Sequence, residues 1–166
     1  MPETHVQQLC EDVKEKLKMA IPTIEKFLNE NALSQLAPEQ DEESIHFSKG
    51  FLTDLRHLLV YSEVVVEKLG TVLRRSNFDK ELAEKILYSV YHDVVNSFFY
   101  PKNESYSEDG RYAYTGQDAI RFRIKPVRIA RDVILEVTKI YEELRDELTY
   151  YESDYLTQRR MQKANA

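Results

Sequence analysis

Apolar residues return every three or four positions through most of this chain, the spacing that lines up one face of a helix. A first stripe, Val6, Leu9, Cys10, Val13, Leu17, Ala20, Ile21, Ile24, Phe27 and Leu28, predicts a helix over about 3–29. Pro22 sits inside that stripe, where the missing N–H predicts a kink or a break. A second stripe runs from Phe51 through Leu55, Leu58, Val65 and Leu69 to Leu73, predicting a helix from Ser44 or Ser48 to about Arg75. The acidic run Glu39, Asp41, Glu42 and Glu43 precedes it, suited to the exposed N–H groups of a helix start. Gly70 falls within this stripe and marks a close helix approach or an early end. A third stripe, Leu82, Ala83, Ile86, Leu87, Val90, Val94, Val95, Phe98 and Phe99, starts near Asp79 and stops at Pro101. A fourth, from Val127 to Tyr155, begins at Lys125 or Pro126.

Between the third and fourth stripes the helical period is lost. The stretch from Tyr100 to Lys125 holds two of the four glycines and four of the eleven tyrosines. Asp109-Gly110 is a two-residue hairpin signal, so 104–108 is expected to pair with 111–115. Thr115-Gly116 marks a second turn. From Arg121 to Lys125 charged and apolar residues alternate strictly, the period of a half-exposed strand. The fold class that follows is mainly α: a four-helix bundle with a small antiparallel β-hairpin or sheet, about 103–125, inserted between helices 3 and 4. Residues 1–156 form one domain on this reading, and 157–166 a mobile basic tail.

Composition narrows the function classes. The chain has 166 residues, a net charge of −6, and 31% charged against 42% hydrophobic residues, a globular rather than a disordered composition. The acidic balance disfavours bulk nucleic-acid binding but leaves room for a local basic patch. One cysteine, Cys10, excludes an internal disulfide and a cysteine-rich zinc site; on an apolar stripe it reads as a core residue. The start MPETHVQQL lacks a signal-peptide pattern and no apolar run approaches a membrane span, so a cytoplasmic protein is expected. Asn103-Glu104-Ser105 matches the glycosylation pattern, which without secretion is chance.

Catalytic signatures are absent. Only His46, after Glu43, has glutamate three positions before it, whereas a carboxylate-bridged metal site in a bundle requires such a pair from each of two helices, and no phosphate loop or nucleophile motif occurs. No metal and no cofactor are expected. The candidate binding patch is Arg111, Arg121, Arg123, Lys125, Arg128 and Arg131 with Tyr106, Tyr112 and Tyr114. The cations suit an acidic protein surface or a small anion, and the tyrosines an interface. Against this stands the plainer reading that the arginines pair with Glu104, Glu108, Asp109, Asp118 or Asp132. His57 with Tyr61 and Tyr88 with His92, each four apart beside a core stripe, are weaker candidates for an enzyme pocket. The expected function is a non-enzymatic module for an unidentified protein partner or for self-association, with anion, nucleotide or nucleic-acid binding at the arginine-rich patch and an enzyme with a His/Tyr/Arg pocket as rivals.

The blocks HFSKGFLTDLRHLLVYSE, YHDVVNSFFYPKNESYSEDGRYAYTG and ELTYYESDY are similar to the YpuI-like family of uncharacterised proteins from bacilli. The resemblance covers nearly the whole chain and implies a cytoplasmic bacterial protein. It assigns no catalytic or ligand residue.

Overall fold

The first stripe becomes helix α1 (Glu3–Glu30) in the computed structural model, which describes residues 1–109 and 119–165. Its buried residues, Val6, Leu9, Cys10, Val13, Leu17, Ala20, Ile24 and Phe27, are the predicted face. The helix runs on through Pro22, which lies off that face. At its end Asn31 donates from both its backbone N and its Nδ2 to the Phe27 carbonyl, at 3.1 and 2.9 Å. A single turn, α2 (Leu33–Leu36), leads to α3 (Glu42–Arg74). The Asp41 carboxylate caps α3 by accepting from Ser44 N at 3.1 Å, and Glu42 and Glu43 occupy its first turn. Gly70 does not end the helix. A Cβ placed there would meet the far end of Arg74 at 3.1 Å and Lys14 at 4.0 Å.

The third stripe contains α4 (Lys80–Ser89), a π-helical stretch over Val90–Val95, and α5 (Asn96–Phe99). The buried residues here come in pairs: Val90-Tyr91, Val94-Val95 and Phe98-Phe99. A period of four drifts by about 40° per repeat around an ordinary α-helix. The wider π turn reduces that drift and keeps all three pairs on the core side.

Strands β1 (Tyr106–Glu108) and β2 (Ile120–Phe122) follow α5 in the chain and pair antiparallel, with Tyr106 opposite Phe122 and Glu108 opposite Ile120. The ladder extends through Asp109 N to Ala119 O at 2.7 Å and Arg123 N to Ser105 O at 3.0 Å. The described partner of β1 is the alternating segment; the expected pairing of 104–108 with 111–115 falls on residues outside the described ones. Residues 110–118, which include the Asp109-Gly110 turn's glycine and the Thr115-Gly116 turn, lie outside the described residues. Two strands alone are marginal in water. Here the Tyr106 ring lies 5.7 Å from Phe98, and Phe122 lies 6.3 Å from Phe51, so the sheet rests on helices.

Helix α6 (Arg128–Glu147) starts two residues after Pro126, with Val127 as its N-cap. A 3-10 turn over Thr149–Tyr151 separates it from α7 (Asp154–Ala164). The last predicted helix is therefore interrupted, and the expected tail from 157 onward is helical to Ala164, anchored by buried Tyr155. The result is a mainly helical chain with a small antiparallel two-stranded sheet. Its apolar core draws on α1, α3, the α4–α5 run and α6, and α1 packs against α3, α4 and α6. Tyr141 of α6 lies at the centre, fully buried, stacked on Phe98 at 4.7 Å and bonded to Ser62 at 3.2 Å. No helix among the described residues is long and apolar enough to cross a membrane.

Candidate functional site

The segment expected to carry function is tied to the helices by two charged side chains that its own sequence does not contain. The first is Asp54 on α3, 5% exposed. Its Oδ1 accepts from Asn103 N at 3.0 Å and Asn103 Nδ2 at 2.8 Å, and its Oδ2 from Ser105 Oγ at 2.8 Å. A buried carboxylate without a cation beside it is tolerable only when donors satisfy it, as these three do. One turn earlier Gly50 makes room: a Cβ there would stand 3.0 Å from Asn103 Cβ. Between the two donors Glu104 takes φ 51°, in the left-handed region, so the turn that presents them depends on a strained residue. The chance glycosylation motif is thus a structural clasp.

The second is Arg145 on α6. Its guanidinium donates to both carboxylate oxygens of Glu108, at 2.8 and 3.1 Å, and lies 3.9 Å over the Phe99 ring. The expected partners of Glu108 were the arginines near it in sequence; the actual partner comes from a distant helix.

With the sheet fixed, the basic residues of the β2–α6 junction face outward. Burial alternates from Ile120 to Lys125, leaving Arg121, Arg123 and Lys125 exposed on one side. Arg121 Nη1 donates to the Ile120 carbonyl at 3.4 Å. Arg123 Nη1 donates to the Asn103 carbonyl at 3.3 Å, and its guanidinium stands 5.7 Å over Phe47. Arg128, 92% exposed, is 3.6 Å from Asp132, a pairing that solvent screens strongly. Arg131 is exposed as well. Tyr106 departs from this surface: it is 3% exposed, and burial with nearby Asp54 pushes its phenol well above the ordinary range. It is a core residue that holds the sheet. Arg111, Tyr112 and Tyr114 lie outside the described residues.

Beside the junction is a cleft of about 190 Å³ between the α2–α3 connection and the start of α6. Leu36, Phe47, Phe51 and Ile124 line it with apolar surface, and Glu39 and Lys125 also border it. The Ser48 hydroxyl, also in its wall, donates to the Leu36 carbonyl at 3.4 Å.

The two histidine–tyrosine pairs have different surroundings. His57 and Tyr61 stand on α3 with rings 6.2 Å apart, and Tyr61 is 43% exposed. Tyr88 and His92 are 4.2 Å apart, and His92 Nε2 donates to the Tyr151 carbonyl at 3.0 Å, which joins the π segment to the 3-10 turn. No hydrogen bond or ring contact joins the pairs, and none of the four residues lines the cleft. Cys10 is buried, and desolvation, then Glu11 and Glu84, push its thiol up to about 12, which removes the thiolate a nucleophile needs. Among the described residues no three His, Cys, Asp or Glu side chains gather as metal ligands.

Asp54 and Arg145 are the two anchors that sequence reading overlooked. Asp54 had a signal, a lone acid at a core position among Phe51, Leu52, Leu55 and Leu58. Arg145 had none, because its role is visible only once Glu108 is beside it.

Fold and site together define a small, mainly helical protein with a clasped two-stranded sheet and a basic junction. The family whose model matches residues 10–157 is described as "Protein of unknown function (DUF3907)", and the chain belongs to that family. It is 32% identical over 143 residues to "Uncharacterized protein YpuI" of Bacillus subtilis (strain 168), an alignment covering 84% of this chain and 77% of that protein. This agrees with the family resemblance read from the sequence blocks. No solved structure matches the chain significantly.

Proposed function

We propose that this chain is a non-enzymatic, cytoplasmic interaction module that binds an acidic protein surface through the basic junction of β2 and α6. On this reading α1, α3, the α4–α5 run and α6 serve as a four-helix scaffold that carries the inserted sheet. The observation that carries the proposal is the exposure of Arg121, Arg123, Lys125, Arg128 and Arg131 along one short stretch of an otherwise acidic protein. Exposed cations concentrated this way steer an oppositely charged partner and suppress like-charged ones. Rigid anchoring by Asp54 and Arg145 supports the reading, since a pre-ordered surface loses less entropy on binding. Tyr106 supports this patch from the core and not as part of its surface. A small anion is the second reading; the start of α6, where Val127 supplies no side-chain cap, favours it.

The test is recovery of cross-linked partners by the tagged protein and by its Arg121→Glu/Arg123→Glu variant. The variant is expected to lose them while its melting temperature stays within a degree or so, both side chains being exposed. Recovery should fall as salt rises. Unchanged recovery by the variant sinks the patch assignment.

A further inference from the structure

The cleft beside the junction carries a feature that interaction through arginines leaves unused. It is bounded by two chain segments, and each contributes one exposed charge of opposite sign: Glu39 from the α2–α3 connection and Lys125 from the β2–α6 junction. Among the described residues no ion pair within 4.0 Å joins them or engages either one. Two further polar groups in the wall are committed. The Ser48 hydroxyl donates to the Leu36 carbonyl, and Ser44 N donates to the Asp41 cap. Much of the rest of the wall is apolar, Leu36, Phe47, Phe51 and Ile124 among it, beside Ser44 and Ser48.

Size selects the occupant. At about 190 Å³ the space exceeds the roughly 150 Å³ that holds a benzene ring, yet it falls below the roughly 300–1,000 Å³ of sites for drug-sized ligands and cofactors. A nucleotide is too large. A lone phosphate would leave the apolar floor uncovered and Glu39 facing like charge. A fatty acid would satisfy Lys125 but not Glu39. An occupant that matches the whole wall has an apolar body, a negative end and a positive end a few bonds apart.

We propose that this cleft binds a free apolar α-amino acid. Its carboxylate lies toward Lys125 and the uncapped start of α6, its ammonium toward Glu39, and its side chain on the Phe47–Ile124 floor. Each end then forms a charge-assisted contact that neither half-molecule supplies in full. The site shares Lys125 with the basic surface, but Arg121 and Arg123 are not among the residues that line it.

The experiment titrates the full ¹⁵N-labelled chain with L-leucine, L-phenylalanine and L-valine up to about 10 mM, a range that detects millimolar binding. Saturable shifts are expected at the backbone amides of Ser44, Ile124 and Ala130. Isocaproate, which lacks the ammonium, and isoamylamine, which lacks the carboxylate, should each bind about tenfold more weakly than leucine. Lys125→Ala and Glu39→Gln should weaken leucine by a similar factor; both residues are exposed, so melting curves identify any variant that fails to fold. Arg121→Glu/Arg123→Glu should bind leucine normally even where it has lost its protein partner, which separates this inference from the proposed function. Absence of shifts at the cleft with all three amino acids overturns the proposal. So does isocaproate or isoamylamine binding as tightly as leucine.

Discussion

Along α1 and α3 the buried face is continuous, and residues such as Val13, Leu17, Leu55 and Leu69 are at most 1% exposed. Strands β1 and β2 have three residues each and only Tyr106 and Ile120 fully in the core. The helical body is held by apolar burial spread over many side chains, each contributing a few kcal/mol at most. The sheet is held by a few directed contacts: Asp54 with Asn103 and Ser105, and Arg145 with Glu108. Spread burial tolerates the loss of one member with a proportionate cost. A clasp concentrates the dependence, since losing one acceptor strands several donors at once. The lesson concerns the candidate surface: its position depends on polar residues in α3 and α6, well away from the arginines themselves.

The largest effect should come from breaking the body with alkali. Burial first, and then nearby acidic groups, raise Cys10 and Tyr151, while burial raises Tyr141 despite its bond to Ser62. A raised folded value means the native state holds these protons more tightly than the unfolded chain. Their contribution is whole below the ordinary thiol and phenol values, near 9 and 10, and is lost as pH rises through the folded values. Urea midpoints should therefore hold steady from pH 7 to 8.5 and fall steeply above about 10. A flat profile to pH 11 contradicts this account.

Next in size, Leu55→Ala should cost about 3 kcal/mol of unfolding free energy, read by urea denaturation, with the sheet and body lost in one transition. Asp54→Ala should cost about 2 kcal/mol but act locally. Amide exchange at Ser105, Ser107 and Arg123 is expected to accelerate more than exchange in α1. If α1 and the strands accelerate equally, the sheet is not a separately clasped unit. The smallest effect is expected for Arg145→Ala, about 1 kcal/mol, since its ion pair with Glu108 is partly solvated and its Phe99 contact is one ring. Its signature would be faster exchange at Asp109 N, which donates to Ala119 O next to the Glu108–Ile120 pair.

Much of the body was legible because helix burial follows a short sequence period. The α1 face and the acidic start of α3 needed only local spacing and capping chemistry. The alternation from Ile120 to Lys125 was legible for the same reason, and the arginines it exposes are where the pattern put them. The partner of β1 was not. A hairpin signal at Asp109-Gly110 pointed to 111–115, which lie outside the described residues, and Tyr106 was counted in the candidate patch. In the fold the segment whose Ile120 and Phe122 reach the core pairs with β1. The π segment was also missed, though its period-four pairs were visible in the residues from Val90 to Phe99.

By itself, then, the sequence determined which residues turn inward along each helix, where the helical period fails, and that a run of cations sits after the failure. Those are properties of neighbours within about one turn, set by backbone geometry and the hydrophobic effect. Tertiary structure alone decided that Asp54 holds Asn103 and Ser105, that Arg145 reaches back to Glu108, and that Glu39 and Lys125 border one cleft. These pairings join residues tens of positions apart. Their energies arise only after the helices have packed, when a distant side chain becomes the nearest partner for a desolvated charge.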